Sequence, residues 1–264
     1  MQKFLVRRFL VAIVTVIVVS LVIFIMSRAA GDPRALLLDD YSTMEDWDRL
    51  GEALGLDKPY YQQYGIFIKD AIRGEFGESI QQGRPAMHIV LEHLPATLQL
   101  ATASFALSLL IGVPLGIISA VKRGSLVDQF GRAVALIGQS APPFWLGIML
   151  ILIFSVNLGW LPSGTRGHDA ANWFERAQYF VMPAITLGWL ASAGLMRLVR
   201  SSMLEVLDSE YIKLARAKGV RNNSVIWKHA FKNSLIPPLP FSALILVGFI
   251  GGTVVTETVF AWPG

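Results

Sequence analysis

Charge is missing from five long stretches of this 264-residue chain. Phe9–Ser27, Leu94–Val121, Ala133–Thr165, Ala177–Met196 and Asn233–Thr256 contain no Asp, Glu, Lys or Arg, so all 23 basic and 19 acidic residues lie outside them. A soluble domain scatters charge over the outer faces of its elements, whereas a chain that crosses hydrocarbon must confine charge to blocks. The shortest stretch has 19 residues, above the ~18 apolar residues that read as a membrane span. Inside lipid each backbone N–H and C=O must be satisfied within its own segment, so the spans are expected to be helices. With 53% hydrophobic and 16% charged residues, the expected fold is all-α, a polytopic transmembrane helix bundle of five spans forming one domain over residues 1–264. A soluble enzyme and a nucleic-acid binder are excluded, and the net charge of +4 reflects topology rather than affinity for DNA. The absence of cysteine removes disulfides, thiol chemistry and soft-metal sites.

Orientation follows from the bases between the spans. Lys3, Arg7 and Arg8 precede the first span, and Lys122, Arg123 and Arg132 face one acid, Asp128, in the 122–132 connection. The 197–232 connection holds eight bases against three acids, while residues 31–93 hold six bases against twelve acids and 166–176 two of each. Basic and non-basic segments alternate, so the N-terminus and the 122–132 and 197–232 connections are expected to be cytoplasmic. A 19-residue apolar run exceeds the usual 7–15-residue signal-peptide core, which favours an uncleaved anchor at the N-terminus. In the acid-rich extracytoplasmic segment 31–93, Tyr60, Tyr64, Phe67, Ile68 and Ile72 recur at helical spacing between Pro59 and Gly74. Two or three short amphipathic helices are expected there.

Catalytic patterns are lacking. No GxxxxGK[ST] loop is present, so nucleotide hydrolysis is not expected of this chain. His88, His93, His168 and His229 do not cluster in sequence, and the Asn222-Asn223-Ser224 triplet lies in an expected cytoplasmic connection. The spans carry no titratable acid or base, which removes the intramembrane relay that a proton-coupled carrier needs. They carry small residues and prolines instead, among them Gly112, Pro114, Gly116, Gly138, Pro142, Pro143, Gly188 and Gly194. Small residues permit close helix approach and prolines interrupt the hydrogen-bond ladder, in moving and static bundles alike. Gln99, Gln139, Ser140 and Asn157, with Glu257 just past the fifth stretch, are the candidates for a translocation path. Interhelical hydrogen bonding accounts for the first four equally well.

Residues 201–240 are longer than a connection requires. Ser202-Met203-Leu204-Glu205 has the capping-box pattern of a helix start. The run Glu210–Lys218 reads as a helix stopped by Gly219 in the C′ position. Asn222 or Asn223 is placed to cap a second short helix through Val225-Ile226-Trp227, and Pro237-Pro238 closes the unit. A helix–Gly–helix presenting Val225, Ile226 and Trp227 to the cytosol is a docking element, with packing beneath the bundle as the alternative.

Glu210–Pro237, EYIKLARAKGVRNNSVIWKHAFKNSLIP, resembles the cytoplasmic loop of binding-protein-dependent ABC importer permeases, specifically the dipeptide/oligopeptide/nickel group. The resemblance rests on Ala215, Ala217 and Gly219 and on the run His229, Lys232, Asn233, Ser234, Leu235, Ile236 and Pro237. Lys213-Leu214-Ala215 and Phe231-Lys232 stand where the general permease signature has Glu-Ala-Ala and Leu-Pro, departures that suit the peptide group better than sugar or amino-acid permeases. Arg7-Arg8, Gly31-Asp32-Pro33, Leu94-Pro95-Ala96-Thr97-Leu98, Glu257-Thr258-Val259-Phe260 and Pro263-Gly264 extend the similarity over nearly the whole chain.

That resemblance implies a type I importer permease of the bacterial plasma (inner) membrane, with six spans in the complete protein and therefore one beyond Gly264. It implies a second homologous permease, two cytoplasmic ATP-binding subunits that use ATP and Mg²⁺, and an extracytoplasmic solute-binding protein. This chain itself would bind no cofactor and no metal. The expected ATPase-coupling loop covers 201–235, with Glu210, Ala215, Ala217, Gly219, Val225, Trp227, His229, Asn233 and Pro237 as its contact and hinge residues. Nickel or another small solute remains open as the cargo. A stand-alone channel or secondary carrier, and a membrane anchor or sensor, remain open as alternatives of other classes.

Overall fold

The computed structural model describes residues 2–32, 34–38, 43–79, 82–167 and 170–264. Pro33, His168 and the acids Asp39, Asp40 and Asp169 lie outside the described residues. The chain divides into two compact units, Met1–Glu92 and His93–Gly264.

The first unit begins with α1 (Gln2–Ala29), none of whose residues is buried. Among the described residues three short helices follow, α2 (Arg34–Leu37), α3 (Met44–Ala53) and α4 (Tyr60–Arg73), within the two or three expected over 31–93. Thr43 starts α3 through a capping box: its hydroxyl accepts from the Asp46 N–H, and the Asp46 carboxylate accepts from the Thr43 N–H. Pro59 precedes α4 and Gly74 closes it with a left-handed φ of 82°. Half of the aromatic stripe is used: Tyr64 shares a 2.9 Å hydrogen bond with Ser20 and, with Phe67, packs on Phe24. Tyr60 and Ile72 remain exposed.

The second unit is built on two long helices, α5 (Ala86–Val121, whose first turns belong to the first unit) and α8 (Trp173–Leu207). Pro95, Pro114 and Pro183 lie inside them without breaking them. The helices approach at backbone range. A Cβ on Gly112 would stand 2.8 Å from the Ser192 carbonyl oxygen, and one on Gly116 2.8 Å from that of Met196. In return, Gly188 of α8 meets the Ser104 carbonyl of α5. Spaced four apart, Gly112 and Gly116 share one face of α5, so the pair forms the close seam that small residues allow in lipid.

Two of the expected spans are bent rather than straight. The third stretch divides into α6 (Leu126–Ser140) and α7 (Pro143–Leu150), the latter continuing as π-helix over Ile151–Asn157; the two parts meet at 102°. Ala141 is extended (φ −83°, ψ 125°) because the proline after it disfavours the helical region, and Pro143 then opens the new helix. The bend therefore interrupts the stretch expected to span over Ala133–Thr165. Near the end of the chain, α9 (Glu210–Ala217), α10 (Asn222–Ser224), a π-helical turn Val225–Ala230 and α11 (Phe231–Ser234) lead to α12 (Pro238–Gly252) and α13 (Val254–Val259). The Asn222–Ser234 and Pro238–Gly252 segments meet at 60°. Among the described residues, three helices are long and apolar enough to cross a membrane, or up to five if each bent pair is one span.

Candidate coupling segment and cavity residues

Helix α8 runs unbroken through Leu207, so Ser202 does not open a helix; it is buried within α8. The short helices of the connection start instead after Ser209, the residue before α9. Its stop is built as expected. Gly219 has φ +77°, its N–H donates to the Arg216 carbonyl at 2.9 Å, and the Val220 N–H donates to that of Ala215 at 3.2 Å. This pair of backbone bonds is a Schellman closure, which requires the left-handed conformation glycine adopts without a Cβ penalty. Asn222 is the first residue of α10 rather than its cap; Arg221 takes the cap position with no side-chain bond.

The apolar tip is narrower than expected. Val225 is fully buried and Ile226 nearly so, in one cluster with Ile212, Ala230, Ile117 of α5 and Leu195, Val199 and Met203 of α8. The alternative of packing beneath the bundle thus holds for Val225 and Ile226, which turn into this cluster and offer nothing to a partner. Trp227 stays 52% exposed, set edge-on against Phe231 with ring centroids 5.7 Å apart. Leu214 is also exposed. Glu210 begins α9 and pairs with Lys213 at 2.7 Å. Ala217, Gly219, Asn233 and Pro237 are exposed, and Ala215 and His229 partly so. Asn233 donates to the Tyr211 hydroxyl at 2.9 Å and to the His229 carbonyl at 3.1 Å, tying the end of the unit to its first helix.

Beside this cluster sits a polar lock that the sequence reading missed. Asp128, 1% exposed, accepts from Nε and Nη2 of Arg200 on α8. It also accepts from the Ser119 hydroxyl on α5 and the Gly124 N–H at 2.9 Å, so that α5, α6 and α8 are joined at one level. The available signal was Asp128 itself, the one acid in a basic connection, three residues after the capping Ser125.

The five path candidates are not gathered into one place. Gln99, exposed, accepts from Nε of the half-buried Arg166 at 3.0 Å. Gln139 lies at the α6–α8 contact, its Nε2 3.7 Å from where a Gly194 Cβ would stand. The Ser140 hydroxyl turns back to the Leu136 carbonyl of its own helix. Asn157 is exposed at the end of the π-helix. Glu257, only 7% exposed, receives the hydroxyls of Thr97 at 2.8 Å and Thr253 at 3.0 Å on the same carboxylate oxygen. The chain around it is folded tightly: Trp262 donates to the Ala96 carbonyl at 3.0 Å and meets Phe180 edge-on. Thr253 and Trp262 were not singled out from sequence, and Thr97 only as part of a matching run. Among the described residues no three His, Cys, Asp or Glu are grouped to hold a metal.

The chain has relatives among known proteins. Residues 112–264 match the family described as "Binding-protein-dependent transport system inner membrane component", and residues 1–101 match the N-terminal region of such membrane components. The chain is 38% identical to the oligopeptide transport system permease protein AppB of Bacillus subtilis, over all of this chain and 85% of that one. It is 36% identical to the dipeptide transport system permease protein DppB of Alkalihalophilus pseudofirmus, covering all of this chain and 86% of that one. It is also 36% identical to the glutathione transport system permease protein GsiC of Escherichia coli K12, over all of this chain and 84% of the relative. The fold is similar to a chain of the MetNI methionine ABC transporter in an inward-facing conformation, with a TM-score of 0.52, 20% identity, and coverage of 66% of this chain and 76% of that one. The family match over residues 112–264 and these full-length relatives agree, and the chain belongs to the inner-membrane permease family of binding-protein-dependent ABC importers.

Proposed function

We propose that this chain is the non-catalytic, membrane-spanning subunit of an ATP-driven importer and forms half of the translocation path for di- or oligopeptides delivered by a solute-binding protein. Three relatives support the cargo: oligopeptide, dipeptide and glutathione permeases resemble it along its full length. A second permease completes the path, two cytoplasmic subunits hydrolyse ATP with Mg²⁺, and the N-terminus faces the cytoplasm. The outer segment 31–93 receives the binding protein. Gln99, Gln139, Ser140, Asn157 and Glu257 contribute to the path.

One observation carries this reading: a structured segment whose exposed edge is Trp227 and whose root is buried against α5 and α8. With no charge inside its uncharged stretches and no nucleotide-binding loop, the chain must receive its free energy through contact with a neighbour. The coupling residues Glu210, Ala215, Ala217, Gly219, Trp227, His229, Asn233 and Pro237 surround that edge, and Val225 anchors it. ATP-dependent closure of the neighbour moves the bundle only if each state of the ATPase pair favours a different placement of this segment.

The test is co-purification of the ATPase subunits with the wild-type chain and with Trp227→Ala. Loss of the ATPases from the variant, with normal membrane insertion, is the expected result; full retention together with normal uptake would remove Trp227 from the contact. Orientation is checked in the same cysteine-free background by Lys218→Cys. A membrane-impermeant maleimide should label that thiol in inverted vesicles and leave it untouched in intact cells.

A further inference from the structure

One buried side-chain atom among the described residues has no hydrogen-bond partner, the Oε1 of Gln63. Gln63 is 7% exposed, and its amide nitrogen donates to the Leu56 carbonyl at 3.1 Å and to the Lys58 carbonyl at 2.7 Å. Two acceptors on one nitrogen fix which end of the amide is oxygen, so the unmet group is an acceptor that needs a donor. Gln63 forms part of the wall of an open cavity of ≈ 330 Å³, together with Arg28, Asp32, Arg34 and Tyr60, all of the first unit. That volume falls within the ~300–1,000 Å³ of small-ligand sites. The charges around it do not balance. Arg34 is committed: its Nε lies 3.0 Å from both Asp32 carboxylate oxygens and its Nη2 2.6 Å from Oδ2, and its guanidinium covers the Trp47 ring. Arg28 has no acid within ion-pair distance among the described residues and rests 5.4 Å from the centroid of the Phe24 ring. The wall thus offers one uncommitted cation and one unmet acceptor.

We infer that this cavity holds the headgroup of phosphatidylglycerol, with its phosphodiester on Arg28 and a glycerol hydroxyl donating to Gln63 Oε1. Depth selects a lipid over a soluble anion. Arg28 is the first charged residue after the uncharged run Phe9–Ser27, so it stands where hydrocarbon gives way to phosphates. Helix α4 packs on the end of that run, Tyr64 bonding to Ser20 and setting its ring against Phe24, which brings the cavity beside acyl chains. Tyr60 and Tyr61 are exposed next to it, the placement that aromatic side chains take at a membrane interface. Charge and hydrogen bonding then select the headgroup. One phosphodiester neutralises Arg28 through charge-assisted bonds, whereas ethanolamine or choline would set a further cation beside two arginines. Choline also lacks any N–H or O–H to give to Gln63. Seated this way, the lipid bridges Arg28 at the end of α1 and Gln63 of α4.

The full-length permease is labelled with a fluorophore at Tyr61→Cys in its cysteine-free background. It is then reconstituted with its partner subunits into phosphatidylcholine spin-labelled near the acyl carbonyl, which quenches the dye. Unlabelled phosphatidylglycerol replaces the quencher stepwise, and the recovery of fluorescence gives the relative affinity of the two lipids at that position. The labelled parent should prefer phosphatidylglycerol at least about tenfold, the effect of one charge-assisted hydrogen bond. Arg28→Gln, which breaks no ion pair among the described residues, should bring the ratio close to one. Arg73→Gln makes the same charge change at the exposed far end of α4 and should leave the preference intact. Equal affinities in the parent, or a preference that survives Arg28→Gln, overturns the assignment. Recovery on adding inorganic phosphate would give the cavity to a soluble anion, and recovery on adding the binding protein would give it to that partner; either result overturns the lipid site.

Discussion

Arg200 holds Asp128 with two nitrogens, Nε 2.8 Å from Oδ1 and Nη2 2.9 Å from Oδ2. The acid stands on α6 and the base on α8, and Asp128 also accepts a third bond from the Ser119 hydroxyl of α5. Breaking a buried pair by deleting one partner strands the other charge and costs about 3–5 kcal/mol. Asp128→Ala should therefore lower the thermal unfolding midpoint in detergent markedly, followed by tryptophan fluorescence. Asp128→Leu combined with Arg200→Leu, which strands neither charge, should recover much of the loss. A single variant as stable as wild type would show that the lock contributes nothing.

Gly219 separates backbone conformation from packing. Nothing lies within 4 Å of the position its Cβ would take, yet φ is +77°, so a substitution there is resisted by the main chain alone. Gly219→Val forces a branched residue into the left-handed region at a cost of about 1–3 kcal/mol, relieved by rotating α9 away from the Asn222 turn. ATP hydrolysis should continue in the assembled importer while uptake per ATP falls. Gly219→Asn, which tolerates this region, should behave nearly as wild type.

The seam between α5 and α8 gives a prediction with an internal control. A Cβ on Gly116 would stand 2.8 Å from both the Met196 carbonyl and the Val199 Cβ, while one on Gly251 would meet nothing within 4 Å. Gly116→Ala should destabilise the bundle by about 1–3 kcal/mol through overpacking, and Gly251→Ala should be neutral or slightly stabilising. Equal effects in chemical unfolding from detergent would contradict the close seam.

Acid should loosen α3 before the bundle. The Thr43 hydroxyl, and then its backbone N–H, hold the Asp46 carboxyl below its ordinary value of 3.8. A carboxyl whose pKa is lowered by folding stabilises the folded form above its unfolded pKa and loses that contribution as pH falls through the folded one. Hydrogen exchange at the first α3 amides should therefore be pH-independent, after correction for intrinsic rates, from neutral down to the carboxylate range, and should then accelerate. Asp46→Asn should remove that acceleration. Persistence of the step in the variant would place its origin elsewhere.

Much of this architecture was readable because lipid penalises charge so severely: each of the five uncharged stretches overlaps a long apolar helix or a bent helix pair among the described residues. Gly74 and Gly219 were readable as helix stops for a local reason, since a left-handed φ is needed there whatever the tertiary contacts. The bend at Ala141 was less legible. A proline pair signals interruption, but a 102° turn depends on what the second half packs against. The burial of Val225 and Ile226 could not be read at all, because a short apolar run looks the same whether it faces a partner or its own bundle. Asp128 and Arg200 were counted for topology alone; their meeting across 72 positions is a property of the packed helices. Glu257 was named for its polarity, whereas its two threonine donors come from opposite ends of the second unit.

The shared cluster of Ile212, Val225, Ile226 and Ala230 with Val199 and Met203 has a mechanical corollary. The unit bearing Trp227 is glued to the C-terminal shaft of α8 as a handle is to a crank, so a tug on its rim has no slack in which to dissipate. Trimming Val225 to alanine would put play into that joint. If Trp227 is the proposed contact, ATP hydrolysis should then continue with little cargo moved, even though that tryptophan is untouched.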